Sequence, residues 1–177
     1  MFDQTLGYPG EGPRVKLGTI NVTGAGSLHR AIKADSLKDY DVILVQEHHK
    51  FGEGTKTLRT QVHKFGWHSF WGDAVENAEG TGCSGGVGIM WRRHIAVVAL
   101  PRVLVTGRAV AIGVDLHPFG QVSLVSIYGQ NQVDLDIVPS DTTHVWTEAQ
   151  KFVRTQGCPF LIGGDHNCPP APCPRVG

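Results

Sequence analysis

The residues of this sequence best suited to chemistry follow a short apolar run. Residues 159–162 form that run, two glycines follow it, and Asp165 and Asn167 come next. Because residues i and i+2 of a strand share a face, we expect both side chains to point into one pocket. An acid that orders a water or a metal, next to an amide that holds an oxyanion, suits hydrolysis of a phosphate ester.

Polar side chains also end or follow three other strand-like segments. Asn21 ends an alternating segment typical of a half-buried strand, and Glu47 follows the continuous apolar run 42–45. Tyr128 ends a further strand-like segment, and Asn131 lies three residues beyond it. Taken singly, each residue has an ordinary alternative role in a turn, on a solvated surface or within a strand. Taken together, they predict a common rim that carries an acid, an amide and a phenol.

The order of predicted elements favours a mixed α/β domain. Apolar patterning predicts strands at 15–22, 42–45, 67–71, 87–91, 95–100, 108–116, 121–128 and 159–162, with a hairpin connection at 117–120. Helices are predicted between 27 and 37, with Ser27 as N-cap, between 55 and 65, and from Asp141 to Gly157. The mixture favours two packed sheets with helices outside over a doubly wound sheet, since no Walker or dinucleotide loop is present.

Length and composition narrow the class of protein. The 177 residues carry no net charge, which argues against salt-driven binding of duplex nucleic acid but leaves a local basic patch open. The four cysteines have no regular spacing and no CxxC pair, which favours reduced thiols of an intracellular protein over disulfides or zinc; they are Cys83, Cys158, Cys168 and Cys173. No signal peptide and no apolar run of membrane-spanning length is found.

Six segments occur together in an order that resembles the endonuclease/exonuclease/phosphatase superfamily, which includes DNase I-like nucleases and abasic-site endonucleases. They are residues 19–22, 41–47, 84–89, 107–108, 126–131 and 162–167. The resemblance covers residues 15–168, which we expect to form one domain between a disordered lead-in, residues 1–14, and a Pro-rich tail, residues 169–177. Among members of this superfamily, the residues of these motifs most resemble those of the endonuclease domains of non-LTR retrotransposons.

The resemblance implies an α/β fold, the four-layered α/β/β/α sandwich of the DNase I-like type, incomplete at its carboxyl end. It also implies phosphodiester hydrolysis that depends on Mg²⁺ or Mn²⁺. By this resemblance Glu47 is the main metal-binding carboxylate, and Asn21 beside it helps to hold metal or phosphate. A hard cation prefers such oxygen ligands.

The remaining site residues are assigned by the same resemblance. Tyr128 and Asn131 match a Tyr-x-x-Asn motif, and Tyr128 would hydrogen-bond the phosphate. Asp165 would orient or deprotonate the attacking water, and Asn167 would position the water and the phosphate. Arg108 is a candidate for phosphate contact, with solvation of an edge strand as its alternative role.

The sequence departs from the family pattern in three places. His48 and His166 stand where relatives usually carry a small polar and an apolar residue, and His166 is expected to point away from Asp165 and Asn167. The pair His48-His49 is not favoured as a metal site, because adjacent side chains diverge on a strand. The family's later Asp and near-terminal Asp-His pair are not found, so we expect a fragment with weak or no activity and with exposed inner faces.

The resemblance leaves the substrate and the partners open. DNA is the leading substrate, and a retrotransposon origin would imply a longer polyprotein with a reverse transcriptase and a nuclear location. Substrate choice in this architecture depends on loops, so a phosphatase acting on phosphoinositides, sphingolipid headgroups or nucleotides is the second hypothesis. The third hypothesis is a non-catalytic remnant or binding module, which the neutral charge also allows.

Overall fold

Two β-sheets pack face to face in the computed structural model, which describes residues 2–6, 14–76, 82–129 and 140–167. In chain order the elements are β1 (Phe2–Leu6), β2 (Val15–Asn21), α1 (Ala25–Lys33), β3 (Val42–Gln46), α2 (Glu53–Lys64), β4 (Trp67–Gly72), β5 (Val75–Glu76), β6 (Cys83–Ser84), β7 (Val87–Arg92), β8 (Ala96–Val105), β9 (Ala109–Asp115), β10 (Gln121–Tyr128), α3 (Ser140–Gln156) and β11 (Phe160–Asp165). The first sheet has the order β1-β2-β3-β7-β4 and the second has the order β11-β10-β9-β8. Strands β5 and β6 pair separately.

The parallel strand pairs of the two sheets deliver their polar ends to one side of the molecule. In the first sheet β2 and β3 run parallel, and Asn21 lies opposite Gln46. In the second sheet β10 and β11 run parallel, and Tyr128 lies opposite Asp165. Because parallel strands end at the same edge, each sheet presents two polar strand ends on this side of the molecule.

Three apolar clusters hold the layers together. One lies between the sheets and includes Leu44, Ile89 and Ile112. A second joins α1 and α2 to the outer face of the first sheet, and a third joins α3 to the outer face of the second, where Val145 and Ala149 pack near Val125. The layers are therefore helix, sheet, sheet and helix, which confirms the predicted four-layered sandwich.

The continuous apolar run that predicts a doubly covered strand forms β3. Val42 and Leu44 face the inter-sheet cluster, whereas Ile43 and Val45 face the helices, and all four side chains are at most 1% exposed. The alternation of strand side chains sends neighbours to opposite faces, so a strand at the centre of the sandwich needs apolar residues on both.

Two local predictions are wrong. Phe2–Leu6 forms a strand that pairs antiparallel with β2, although residues 1–14 are predicted to be a disordered lead-in. An edge strand is stabilised by backbone hydrogen bonds, which hydropathy does not record. Helix α1 begins at Ala25 with Gly24 as its N-cap at a φ of 121°, and Ser27 already donates its N–H to the Gly24 carbonyl. Ser27 is therefore a residue of the first turn and not the cap.

Two strands at the edges of the second sheet carry exposed apolar residues. Phe160 of β11 is 57% exposed and Leu100 of β8 is 80% exposed. All residues of β11 are at least partly accessible, whereas its neighbour β10 is buried from Val122 to Tyr128. Leu161, the residue of β11 that packs against the inter-sheet cluster, is thus only partly buried. Within the described part of the chain, no helix combines the length and apolar character needed to span a membrane.

Candidate active site

One amide joins the polar strand ends of the two sheets. Asn21 Nδ2, at the end of β2, donates 2.9 Å hydrogen bonds to Glu47 Oε1 and to Asp165 Oδ2. The other amide atom, Asn21 Oδ1, accepts a hydrogen bond from the Thr23 N–H at 3.1 Å. The two carboxylate oxygens share one donor at 2.9 Å each and therefore lie close together. They come from different parts of the sandwich, because Glu47 follows a strand of the first sheet and Asp165 ends a strand of the second.

Tyr128 lies beside these carboxylates. Its hydroxyl is close enough to Glu47 and Asn167 to interact with both, and the guanidinium of Arg108 lies 4.8 Å from the centre of its ring. Burial raises the pKa of Tyr128 above its ordinary value, and the hydrogen bond and negative charge of Glu47 add to that rise. The phenol is therefore protonated at neutral pH and available as a hydrogen-bond donor.

The turn after β11 orients Asp165. The backbone N–H of Asn167 donates to Asp165 Oδ1 at 3.1 Å, so each oxygen of the carboxylate accepts one hydrogen bond. Asn167 Nδ2 donates in turn to the Gly129 carbonyl at 2.7 Å, and the Gly129 N–H donates to the Asp165 carbonyl at 2.7 Å. These bonds hold the ends of β10 and β11 together and restrict the rotation of both side chains.

Left-handed backbone conformations concentrate at this rim. Glu47 has a φ of 60°, His49 a φ of 52° and Asn167 a φ of 46°. Such values are uncommon for residues other than glycine and cost free energy unless surrounding contacts impose them. Here the N–H of His49 donates to the Gly85 carbonyl at 3.1 Å, one of the bonds that hold the Glu47 segment.

A buried hydrogen-bond network lies beneath the site. Gln46, which is 1% exposed, accepts from Thr19 Oγ1 at 3.1 Å and donates through Nε2 to Ser126 Oγ at 3.0 Å. Ser126 Oγ donates to the Val45 carbonyl at 3.2 Å. Each of the three polar side chains stands one or two residues before a site residue, on β2, β3 and β10. The network thus links the two sheets directly beneath the strand ends that carry the site residues.

Sequence reasoning did not assign a role to Gln46 or Ser126. The signal for Gln46 was an amide that directly continues the apolar run of β3. The signal for Ser126 was its position two residues before Tyr128, on the same strand face. Neither position could show that Gln46 and Ser126 bond to each other, because the two residues belong to different sheets.

His48 has a structural role. Its ring is fully buried, and Nδ1 accepts the Lys50 N–H at 3.1 Å, so Nε2 carries the proton and donates to the Gly72 carbonyl at 3.0 Å. The ring packs edge-on against Trp71, and a Cβ at Gly86 would lie 2.6 Å from it. Burial lowers the pKa of His48 to about 4, which keeps it neutral at physiological pH.

The other two unassigned histidines lie on opposite sides of the rim. His49 Nε2 lies 3.8 Å from Glu47 Oε2, and the side chain is 37% exposed. The thiol of Cys83, a free cysteine, donates to the His49 carbonyl at 3.0 Å. His166 stacks on Trp146 of α3 with the ring centres 5.1 Å apart, a direction consistent with its predicted orientation away from the site.

The structure brings together most of the residues that the sequence assigned to the site, namely Asn21, Glu47, Tyr128, Asp165 and Asn167, with Arg108 against the ring of Tyr128. Asn131 lies outside the described residues, as do Cys168, Cys173 and the predicted Pro-rich tail. The parts that these residues play in binding and catalysis stay predictions.

The donor atoms at the rim fit a hard divalent cation. Among the described side chains, no cluster of three or more His, Cys, Asp and Glu residues is arranged to hold a metal. Mg²⁺ does not need such a cluster, because it is commonly bound through one or two carboxylates and keeps several waters. Glu47 and Asp165 supply carboxylate oxygens that the Asn21 amide nitrogen holds close together.

Comparison with known proteins gives relatives only at the level of structure. No protein-family model matches the sequence, and a search of curated proteins finds no match. An AP endonuclease from Leishmania major, LMAP, is similar with a TM-score of 0.61 and 17% identity, over 85% of this chain and 54% of that one. ANGEL2, a 2′,3′-cyclic phosphatase, gives a TM-score of 0.64 and 10% identity, over 88% and 53%.

A third similar structure is the 3′ phosphatase NExo from Neisseria bound to a product DNA hairpin, with a TM-score of 0.58 and 21% identity, over 89% of this chain and 60% of that one. The chain thus spans little more than half the length of these structures. At such low identity the likeness carries the fold alone. The chain therefore has the DNase I-like fold of the endonuclease/exonuclease/phosphatase superfamily.

Proposed function

We propose that this chain is a metal-dependent phosphodiesterase domain that acts on DNA as an endonuclease. The observation that carries the proposal is the pair of 2.9 Å hydrogen bonds from Asn21 Nδ2 to Glu47 and Asp165. They gather two carboxylates from different sheets at one solvent-accessible rim, beside a protonated phenol. Carboxylates and donors in this arrangement suit attack of water on a phosphate diester.

In this proposal Glu47 and Asn21 hold Mg²⁺ or Mn²⁺. The carboxylate of Glu47 is the metal ligand because it carries charge, and Asn21 helps to hold the metal by fixing that carboxylate through Nδ2, while its own oxygen accepts the Thr23 N–H. A bound divalent cation supplies neutralisation of the negative charge that develops on the phosphate oxygens. Because Asn21 Nδ2 also donates to Glu47 Oε1, that carboxylate is oriented before any ligand arrives.

The remaining side chains act on the water and the phosphate. Asp165 accepts a proton from the attacking water, and the hydrogen bonds to both its oxygens keep it oriented for that transfer. The Tyr128 hydroxyl donates to a phosphate oxygen, and Asn167 positions the phosphate and the water. Arg108, stacked on Tyr128, adds a positive charge at the same rim. Asn131 completes the proposed motif from outside the described residues.

DNA is the proposed substrate because one similar structure contains a product DNA hairpin and another is an AP endonuclease. A small phosphate ester is the second candidate, favoured by the similarity to a 2′,3′-cyclic phosphatase, which has the highest TM-score of the three, 0.64. Supercoiled plasmid and a panel of phosphate monoesters and cyclic phosphates, assayed in parallel with Mg²⁺, separate the two candidates. A retrotransposon origin, a reverse transcriptase partner and a nuclear location stay predictions.

The decisive variant is Glu47→Ala, compared with Glu53→Gln as its control. Glu53 is an exposed carboxylate on α2 that pairs with Lys56, so its loss removes a negative charge without touching the rim. We expect weak Mg²⁺-dependent nicking by the original chain and by Glu53→Gln, and a further reduction of roughly a hundredfold or more for Glu47→Ala. Calorimetric titration with Mg²⁺ provides a second readout that does not need turnover.

Two results would count against the proposal. Equal nicking by Glu47→Ala and Glu53→Gln would remove Glu47 from the site. Absence of both nicking and Mg²⁺ binding in the original chain would instead favour a non-catalytic module with the same fold.

A further inference from the structure

A second pocket opens at the edge of the first sheet. It has a volume of about 450 Å³ and lies around the edge strand β4, between α2 on one side and β8 on the other. Its walls include two residues of α2, three ring-bearing residues of β4 and β7 and a proline of β8: Arg59, His63, His68, Phe70, Trp91 and Pro101. Small-molecule sites typically enclose roughly 300 to 1,000 Å³, so the volume suits a ligand of that class.

The pocket is separate from the candidate active site. Strand β7 runs antiparallel to β3, so Val87 lies opposite Gln46 at the active-site end, whereas Trp91 lies opposite Val42 at the other end. At about 3.3 Å per strand residue, four residues place Trp91 roughly 13 Å along the sheet from that rim. A ligand against Trp91 therefore need not contact the proposed catalytic residues.

Aromatic rings give the pocket flat surfaces. The ring of His68 lies 6.0 Å from that of Trp91 with an angle of 33° between their planes, and 5.7 Å from the ring of His63 in an edge arrangement. Trp91 is 7% exposed and Phe70 is partly buried against the inter-sheet cluster, so both are held in place by packing. Rigid aromatic surfaces of this kind favour planar ring systems.

The wall from α2 is basic. Arg59 and His63 are four residues apart, so they lie on the same face of the helix and both are exposed. The Arg93 guanidinium donates to the His63 carbonyl at 3.2 Å and adds positive charge nearby. Among the described residues that line the pocket none is Asp or Glu. The charge favours an anionic group on the ligand, and a guanidinium binds phosphate oxygens well.

We propose that this pocket binds a nucleotide, with the base against the exposed ring of His68, which Trp91 supports from behind, and the phosphate at Arg59. The proposal combines flat aromatic surfaces, a guanidinium and a volume suited to one nucleotide. It goes beyond the proposed hydrolysis and does not depend on it, because the pocket lies at the other end of the sheet. The nucleotide is either free or one unit of a single-stranded nucleic acid.

Tryptophan fluorescence tests the pocket without catalysis. The chain is titrated in EDTA with AMP, adenosine, inorganic phosphate and a short single-stranded oligonucleotide, with Trp91 and Trp67 as reporters at the pocket. We expect saturable quenching by AMP, with at least roughly tenfold weaker binding of adenosine and of phosphate, since each lacks one half of the interaction. Tighter binding of the oligonucleotide than of AMP identifies a strand as the source; equal binding identifies the free nucleotide.

Paired variants on one helix locate the binding. Arg59→Gln should weaken AMP binding roughly tenfold, whereas Lys64→Gln, an exposed charge on α2 outside the pocket, should leave it unchanged. His68→Ala should weaken AMP and adenosine alike, because it removes the stacking surface. Glu47→Ala should bind AMP as the original chain does, which separates this site from the catalytic one.

The proposal is overturned by any of three results. These are adenosine binding as tightly as AMP, equal effects of Arg59→Gln and Lys64→Gln, or loss of AMP binding in Glu47→Ala. Circular dichroism and thermal unfolding verify that each variant is folded, and Arg59→Lys, which keeps the charge, replaces Arg59→Gln if the latter is not.

Discussion

Asn21 and Asp165 are 144 positions apart in the chain, yet Asn21 Nδ2 donates a 2.9 Å hydrogen bond to Asp165 Oδ2. Asn21 ends β2 of the first sheet and Asp165 ends β11 of the second, so this bond spans the two halves of the sandwich at the candidate active site. The same nitrogen donates to Glu47. The spacing of the two carboxylates therefore depends on one amide.

Replacing that amide should weaken metal binding. In Asn21→Ala both carboxylates lose their shared donor and repel each other without a dipole between them, so we expect Mg²⁺ affinity to fall roughly tenfold. Isothermal titration calorimetry measures the change. The matched control is Gln61→Ala, which removes an exposed amide from α2. An unchanged affinity in Asn21→Ala would show that the amide does not organise the site.

Removing the buried amide beneath the site should destabilise the fold. Gln46→Met keeps the length of the side chain but deprives Thr19 and Ser126 of their partner. We expect the free energy of unfolding in urea to fall by about 1–3 kcal/mol, the cost of leaving buried polar groups unsatisfied. Ser126→Ala removes the other end of the network. Because the two residues share a hydrogen bond, the double variant should lose less than the two single losses combined; strict additivity would contradict the network.

A side chain at Gly164 should separate β10 from β11. A Cβ there would lie 1.9 Å from the Ile127 carbonyl oxygen, and the residue has a φ of 155°. Strain of this kind typically costs about 1–3 kcal/mol, so Gly164→Ala should lower the unfolding free energy by that amount and reduce activity, since Asp165 follows directly.

The control for this variant is a glycine with space around it. In α1 a Cβ at Gly26 would approach nothing closer than Arg30 Nη1, at 3.8 Å. Gly26→Ala should therefore stabilise the helix by up to about 1 kcal/mol. Thermal unfolding of both variants measures the contrast, and equal destabilisation would disprove the steric argument.

Burial of His48 should make stability depend on pH. Its pKa is about 4 in the folded protein and 6.5 in the unfolded chain, so between these values the unfolded state binds the extra proton. The contribution of neutral His48 is complete above pH 6.5 and is lost as the pH falls towards 4, with a slope of at most about 1.4 kcal/mol per pH unit.

Urea unfolding at a series of pH values tests this dependence. His48→Gln should show a shallower decrease in stability between pH 6.5 and 4, although it is less stable at neutral pH. The control is His144→Gln on α3, where the histidine is exposed. If both variants keep the full pH dependence, another group is responsible for it.

Most strands and helices of this fold can be predicted from local pattern, although the two-residue strands β5 and β6 cannot. The continuous apolar run of β3 indicates a strand that is buried on both faces, whereas the apolar-polar alternation of β2 indicates a strand that is buried on one face. Both conclusions follow because successive strand side chains point to opposite faces. Strand β1 and the first residue of α1 cannot be predicted in this way. The first depends on backbone pairing with β2, and the second on the unusual backbone angle of Gly24.

Local periodicity is enough to place Asn21, Glu47, Tyr128, Asp165 and Asn167 at or just after strand ends and to favour two packed sheets with helices outside. The four-layered sandwich of the DNase I-like type is indicated by the resemblance that the order of the motifs carries. Which of these residues touch is decided only by the packing of one sheet on the other. Asn21 and Asp165 meet because the inter-sheet core sets their distance, and Gln46 finds Ser126 for the same reason. Contacts between separate sheets leave no trace in local periodicity, because each partner satisfies only its own strand's pattern.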